Sequence, residues 1–75
     1  MVYVIFGRKN CPYCQKAILL LGKIQFYFSE INTTSSSQMA EMYIRGVPTN
    51  HTTVPIIFND GVFVGGLKEL EEQMD

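Results

Sequence analysis

The two cysteines of this chain, Cys11 and Cys14, stand three positions apart. Thiol–disulfide exchange needs a thiolate, a second thiol within reach and access for a partner. Residues three apart on a helix are neighbours, so this spacing lets the two sulfurs meet. A bridge between them would close a tiny loop and constrain the unfolded chain little. A secreted disulfide framework uses more cysteines, spread wider. The pair therefore suits a reversible couple better than a structural staple. Zinc is the other chemistry such a pair suggests. A zinc site usually takes four ligands, and Cys11, Cys14 and His51 supply three at most. No metal is expected.

The neighbours of the pair divide its roles. Pro12 suits the first turn of a helix, where its missing N–H costs nothing. Cys14, Ala17, Ile18 and Leu21 follow as an apolar helical stripe, and Gly22 can end the helix. Cys11 then falls just before the helix, and Cys14 lies one turn inside on the buried side. Cys11 is the expected attacking thiol and Cys14 the resolving one. A helix N-terminus offers free N–H groups and partial positive charge. Arg8 and Lys9 add cations just upstream. Together these should lower the pKa of Cys11, which in such motifs falls to roughly 3.5–7.5.

The elements that must position this turn are legible in outline. Val2 to Phe6 is a continuous apolar run suited to a strand covered on both faces. Gln25 to Ile31 reads as a second strand, with Phe26 and Phe28 on one face. Ser35 and Gln38 resemble a capping box, and the helix behind them should run to about Ile44 and bury Met39, Met42 and Tyr43. Gly46 and Pro48 break it. Val54 to Phe58 is the predicted third strand. Asn59-Asp60-Gly61 should turn it into a fourth, Val62 to Val64. Gly65-Gly66 turns the chain again, and Leu67, Leu70 and Met74 mark a last helix.

The order is β-α-β-α-β-β-α, an α/β fold. The first strand, helix and strand should form a parallel crossover and the later strands an antiparallel hairpin. The expectation is a mixed four-stranded sheet flanked by three helices. Pro55 at the start of a strand is awkward, because proline cannot donate to a ladder.

Size and composition set outer bounds. The chain has 75 residues, 47% hydrophobic and 17% charged, with a net charge of -1. That suits one compact domain spanning 1–75. The near-balanced charge gives no general case for nucleic acid or an acidic membrane surface. No apolar run approaches the roughly 20 residues of a membrane span. The start lacks the pattern of a signal peptide, so a cytoplasmic location is expected.

Three motifs, in order and suitably spaced, resemble the glutaredoxins: Cys11-Pro12-Tyr13-Cys14, Thr53-Val54-Pro55 and Gly65-Gly66. The Cys-Pro-Tyr-Cys tetrad is the form typical of dithiol members. Thioredoxins usually carry Trp-Cys-Gly-Pro-Cys, and this chain has no Trp. The resemblance implies a thioredoxin fold, glutathione as reductant and a cis bond before Pro55 facing the cysteines. It further implies that Val54 offers its backbone to the cysteinyl part of glutathione. Arg8 takes the place of the basic residue near the glycyl carboxylate, and Tyr13 lines the groove beside Thr53. By the same resemblance, Gly65, Gly66 and the backbone of Leu67 and Lys68 are expected to hold the γ-glutamyl end. Where many relatives carry Cys, Ser or Asp and then Asp after the glycines, this chain has Leu67, Lys68 and Glu69. Glu69 is the candidate partner for the glutathione amine, and Gln38 the candidate polar residue on the second helix.

The resemblance thus implies a monomeric glutathione-dependent oxidoreductase that reduces protein disulfides and glutathione mixed disulfides in cell redox homeostasis. A dedicated electron donor to one partner, such as ribonucleotide reductase, is the alternative. An iron–sulfur carrier is a third class, but members of that kind usually lack proline after the first cysteine, and Pro12 stands against it. His51, a lone loop histidine, is assigned no role.

Overall fold

The computed structural model describes residues 1–74; Asp75, the last residue of the expected domain, lies outside the described residues. Seven elements follow in the expected order: β1 (Tyr3–Gly7), α1 (Pro12–Leu21), β2 (Phe26–Glu30), α2 (Ser36–Ile44), β3 (Ile56–Asn59), β4 (Val62–Gly65) and α3 (Leu67–Met74). The four strands form one sheet in the order β2-β1-β3-β4. β1 runs parallel to β2, while β3 is antiparallel to both β1 and β4. This is the mixed sheet with three helices that the chain's pattern implies, and the thioredoxin fold that the family resemblance implies.

Alternation along the central strands builds a core on each face. Tyr3 and Ile5 of β1 and Ile57 of β3 point to one side. There they meet Ala17 and Leu21 of α1 and Leu70 of α3. Phe26 and Phe28 of β2 pack on this cluster as expected. Val4, Phe6, Ile56 and Phe58 point the other way, against Met39 and Met42 of α2 and Ile31 and Val47. Tyr43 is only partly buried against this second cluster. α1 and α3 therefore share one face of the sheet, and α2 covers the other. Ile57 is 0% exposed on β3. Its replacement by alanine leaves a cavity and should cost about 2–5 kcal/mol, a large share of a small domain's stability. A urea titration should show the midpoint falling with an unchanged slope.

The element ends carry informative differences from the pattern. β2 is shorter than Gln25 to Ile31, yet both flanking residues bond to β1: Tyr3 N donates to Gln25 O at 3.3 Å, and Ile31 N donates to Gly7 O at 2.9 Å. The third strand starts at Ile56 rather than Val54. The Val54–Pro55 bond is cis, and Pro55 has no N–H to donate, so ladder pairing begins only after it. The hairpin turn forms as read. Asp60 (φ 51°) and Gly61 (φ 82°) both sit at positive φ, the signature of a two-residue turn matched to strand twist.

The capping box of α2 is half realised. Ser35 Oγ accepts from Gln38 N at 3.4 Å. Gln38 Oε1 does not return to Ser35 N. It accepts from Asn32 N at 2.8 Å, because Ser35 N already donates to Asn32 O at 3.0 Å. No helix among the described residues is long and apolar enough to cross a membrane.

Candidate active site

β1 delivers the chain to the cysteine turn. After Gly7, the loop carrying Arg8 and Lys9 leads to Cys11, which takes an extended conformation (φ -96°, ψ 117°) as the residue capping α1. Pro12 occupies the first helical position, and Gln15 N closes the first turn on Cys11 O at 3.1 Å. The Cys11 side chain makes no capping hydrogen bond. Its sulfur thus stands where the unpaired N–H groups of a helix start converge. Cys11 is partly exposed and Cys14 is 0% exposed. Both are free thiols. The difference in exposure expected from the apolar stripe is the one the fold produces.

The electrostatics of the two thiols diverge. Partial burial pushes the Cys11 thiol up. The backbone N–H of Cys14, the Cys14 thiol, the N–H of Tyr13 and the charge of Arg8 outweigh it and hold Cys11 below its ordinary value. Cys14 moves the other way. Burial, followed by hydrogen bonding and repulsion from Cys11, pushes it up to about 11. The expectation that both upstream cations act is corrected here. Arg8 is the weakest of the contributions lowering Cys11. Lys9 lies 3.6 Å from Glu30 Oε1, in an exposed ion pair of its own. Backbone N–H groups and the partner thiol serve the Cys11 thiolate before any side-chain cation does.

These shifts carry opposite pH signs. A raised folded pKa means that the native state holds its proton more tightly than the unfolded chain does. For Cys14 this stabilises the reduced fold fully below its ordinary value of 9.0 and is lost as pH climbs through about 11. For Cys11, lowered, the contribution is present above its ordinary value and lost as pH falls through the folded one. The melting temperature of the reduced protein should therefore drop more steeply between about pH 9 and 11 than that of Cys14→Ser.

A groove of about 370 Å³ lies beside this turn. Tyr13 forms one wall, and Thr53, Val54 and Pro55 line it from the cis-proline segment. Gly66, Leu67, Lys68, Glu69 and Glu71 line it from the start of α3. Eight of the residues named from sequence thus converge: Tyr13, Thr53, Val54, Pro55, Gly66, Leu67, Lys68 and Glu69. Arg8 does not join them. It lines a second cleft of about 450 Å³ with Glu30, Ile31, Asn32, Thr34 and Gln38. Gln38, the candidate polar residue of the second helix, lines this same cleft beside Arg8.

Gly65 does not line the groove. It is buried at the end of β4 with φ 136°, and a Cβ there would stand 2.6 Å from Glu69 Oε1. That oxygen accepts from Gly66 N at 2.7 Å. Gly65 thus supplies room for Glu69 to fold back and cap its own helix. One oxygen of the expected amine partner is thereby engaged within the chain.

His51 lines the groove although sequence reasoning assigned it no role. Its ring stands edge-on to Phe63, with centroids 5.2 Å apart, and Nε2 lies 3.5 Å from Pro55 O. The one available signal was its position four residues before Pro55. Among the described residues no group of three or more His, Cys, Asp or Glu side chains gathers as a metal site would.

Residues 3–64 match the sequence model of the Glutaredoxin family. The chain belongs to that family. Glutaredoxins are thiol–disulfide oxidoreductases that work with glutathione and disulfide substrates. The match spans the cysteine turn and the cis-proline segment; Gly65, Gly66 and α3 lie beyond it. A probable glutaredoxin of Acanthamoeba polyphaga mimivirus is 34% identical, over 97% of this chain and 77% of its own length. Glutaredoxin 3 of Escherichia coli K12 is 33% identical, over 88% of this chain and 77% of its own. In three dimensions the chain is similar to reduced Escherichia coli glutaredoxin, with a TM-score of 0.74 at 31% identity. That likeness covers 97% of this chain and 92% of the other.

Proposed function

We propose that this glutaredoxin reduces glutathione mixed disulfides and protein disulfides through Cys11 and Cys14, with glutathione as its reductant. The observation that carries the reading is the asymmetry of the two thiols beside a groove. One is partly exposed with a lowered pKa; the other is buried and pushed up to about 11.

In the first step the Cys11 thiolate attacks a sulfur of the substrate disulfide. A new S–S bond forms, the old one breaks, and the departing thiolate takes up a proton. When the substrate is a glutathione mixed disulfide, Cys11 then carries the glutathionyl group. A glutathione thiolate attacks that bond, releases glutathione disulfide and regenerates Cys11. With a protein disulfide, Cys14 loses its proton and attacks the Cys11 sulfur, forming the Cys11–Cys14 disulfide and freeing the reduced substrate; two glutathione thiols then reduce that bond in turn and leave as glutathione disulfide. Its raised pKa keeps Cys14 protonated, and so unreactive, until the mixed disulfide brings a sulfur against it.

The groove supports glutathione as ligand. Val54 offers backbone beside the cysteine turn. The free N–H groups of Leu67 and Lys68 at the start of α3 suit a carboxylate. Arg8, with Gln38, offers a donor site for a second carboxylate in the neighbouring cleft. The partial engagement of Glu69 by Gly66 N favours, as second reading, a dedicated donor recharged by a separate reductase. Ribonucleotide reductase is then one protein partner of suitable chemistry. In either reading the protein works as a monomer in the cytoplasm, where thiols are kept reduced.

Turnover of hydroxyethyl disulfide, coupled to glutathione and glutathione reductase, separates the two. Steady turnover dependent on glutathione is expected. A protein whose disulfide forms but is not recycled by glutathione would contradict the proposal in favour of the dedicated donor.

A further inference from the structure

The Cys14 sulfur occupies a space that exists because residue 7 has no side chain. Gly7 ends β1, is buried, and accepts at its O from Ile31 N at 2.9 Å. A Cβ at this position would stand 2.6 Å from Cys14 Sγ, far inside contact distance. Its other neighbours, Cys14 Cβ and Phe28 Cε2, would both be 3.4 Å away, at the edge of ordinary contact. Gly7 is not among the glycines at positive φ. Its strand backbone would accept any L residue, so the conformation does not require glycine. The thiol does.

We infer that Gly7 is a positioning residue for the resolving thiol, and that the room it leaves sets the balance between dithiol and disulfide. The inference rests on the reading of Cys11 and Cys14 as the exchanging pair. In the dithiol, Cys14 Sγ lies against Gly7, wholly out of solvent. Forming the disulfide joins it to the sulfur of partly exposed Cys11. Two protons leave the thiols, and two electrons pass to the incoming disulfide, whose S–S bond breaks to give two thiols. The S–S bond, shorter than the contact between two thiols, pulls Cys14 Sγ toward Cys11 and so eases its contact with residue 7. A methyl group there opposes the dithiol more than the disulfide.

The experiment compares wild type and Gly7→Ala equilibrated in buffers of reduced and oxidised glutathione, with the disulfide fraction read by alkylation and intact mass. Gly7→Ala should shift the equilibrium about tenfold toward the disulfide, about 30 mV more negative for a two-electron couple. An unchanged or less negative potential overturns the inference. Absence of a disulfide in wild type would instead count against Cys11 and Cys14 as the exchanging pair.

A second measurement separates positioning from general packing and does not depend on exchange. Gly7→Ala should lower the melting temperature of the reduced protein, and lower it much less in a Cys14→Ala background, where the clashing sulfur is gone. Equal losses in both backgrounds overturn the inference. If Gly7→Ala alone does not fold, folding of the double variant upholds it and failure of both overturns it.

Discussion

Cys11→Ser is expected to reduce all thiol–disulfide exchange to the uncatalysed background, while Cys14→Ser retains reduction of glutathione mixed disulfides. The thiolate is the nucleophile in this chemistry, and a serine hydroxyl does not replace it. Of the two thiols, Cys11 is the one a partner can reach, because Cys14 is 0% exposed. With Cys14 removed, a second glutathione can still resolve the mixed disulfide on Cys11. Reduction of intramolecular protein disulfides, which needs the second thiol, should fall sharply in the same variant. Assays of both variants on a glutathionylated peptide and on a protein disulfide check the division. Equal loss of the glutathione activity in both would reject it.

Iodoacetamide at pH 7 is expected to modify Cys11 to completion before Cys14 reacts measurably. Alkylation follows thiolate fraction and access. A thiol pushed up to about 11 is ionised at pH 7 in roughly one molecule in ten thousand. Burial multiplies that disadvantage. Cys11 is partly exposed, with its pKa held down by the N–H groups and thiol around it. Peptide mapping of the label over time reads both sites at once. Comparable rates at the two cysteines would show that the helix start does not separate them.

Much of this arrangement was legible in the residues themselves, and the exceptions have physical causes. Periodicity separated Cys11 from Cys14 because one helical stripe fixes which side of α1 meets the sheet. The Asn59-Asp60-Gly61 turn was readable because few residues take positive φ cheaply. The start of β3 was misread because Val54 and Ile56 to Phe58 are equally apolar, whereas pairing depends on the N–H that Pro55 lacks. The order in which groups stabilise the Cys11 thiolate was also hidden. The helix-start N–H groups and the upstream cations are both expected from the sequence, but only the turn shows the N–H groups of Cys14 and Tyr13 ahead of Arg8.

The remaining misses are tertiary. Arg8 and the α3 residues line different clefts, which no spacing reveals. His51 was passed over as a lone loop histidine, and only the fold brings its ring against Phe63 and the Pro55 carbonyl. Gly65 and Gly66 read alike in the chain. In space Gly65 makes room for Glu69, while Gly66 faces the groove.

The reduction potential of the Cys11–Cys14 couple, measured against a glutathione buffer, tests the central claim most directly. A couple that glutathione recharges should equilibrate near about -200 to -230 mV. A value near about -270 mV, or no disulfide at any poise, would contradict it.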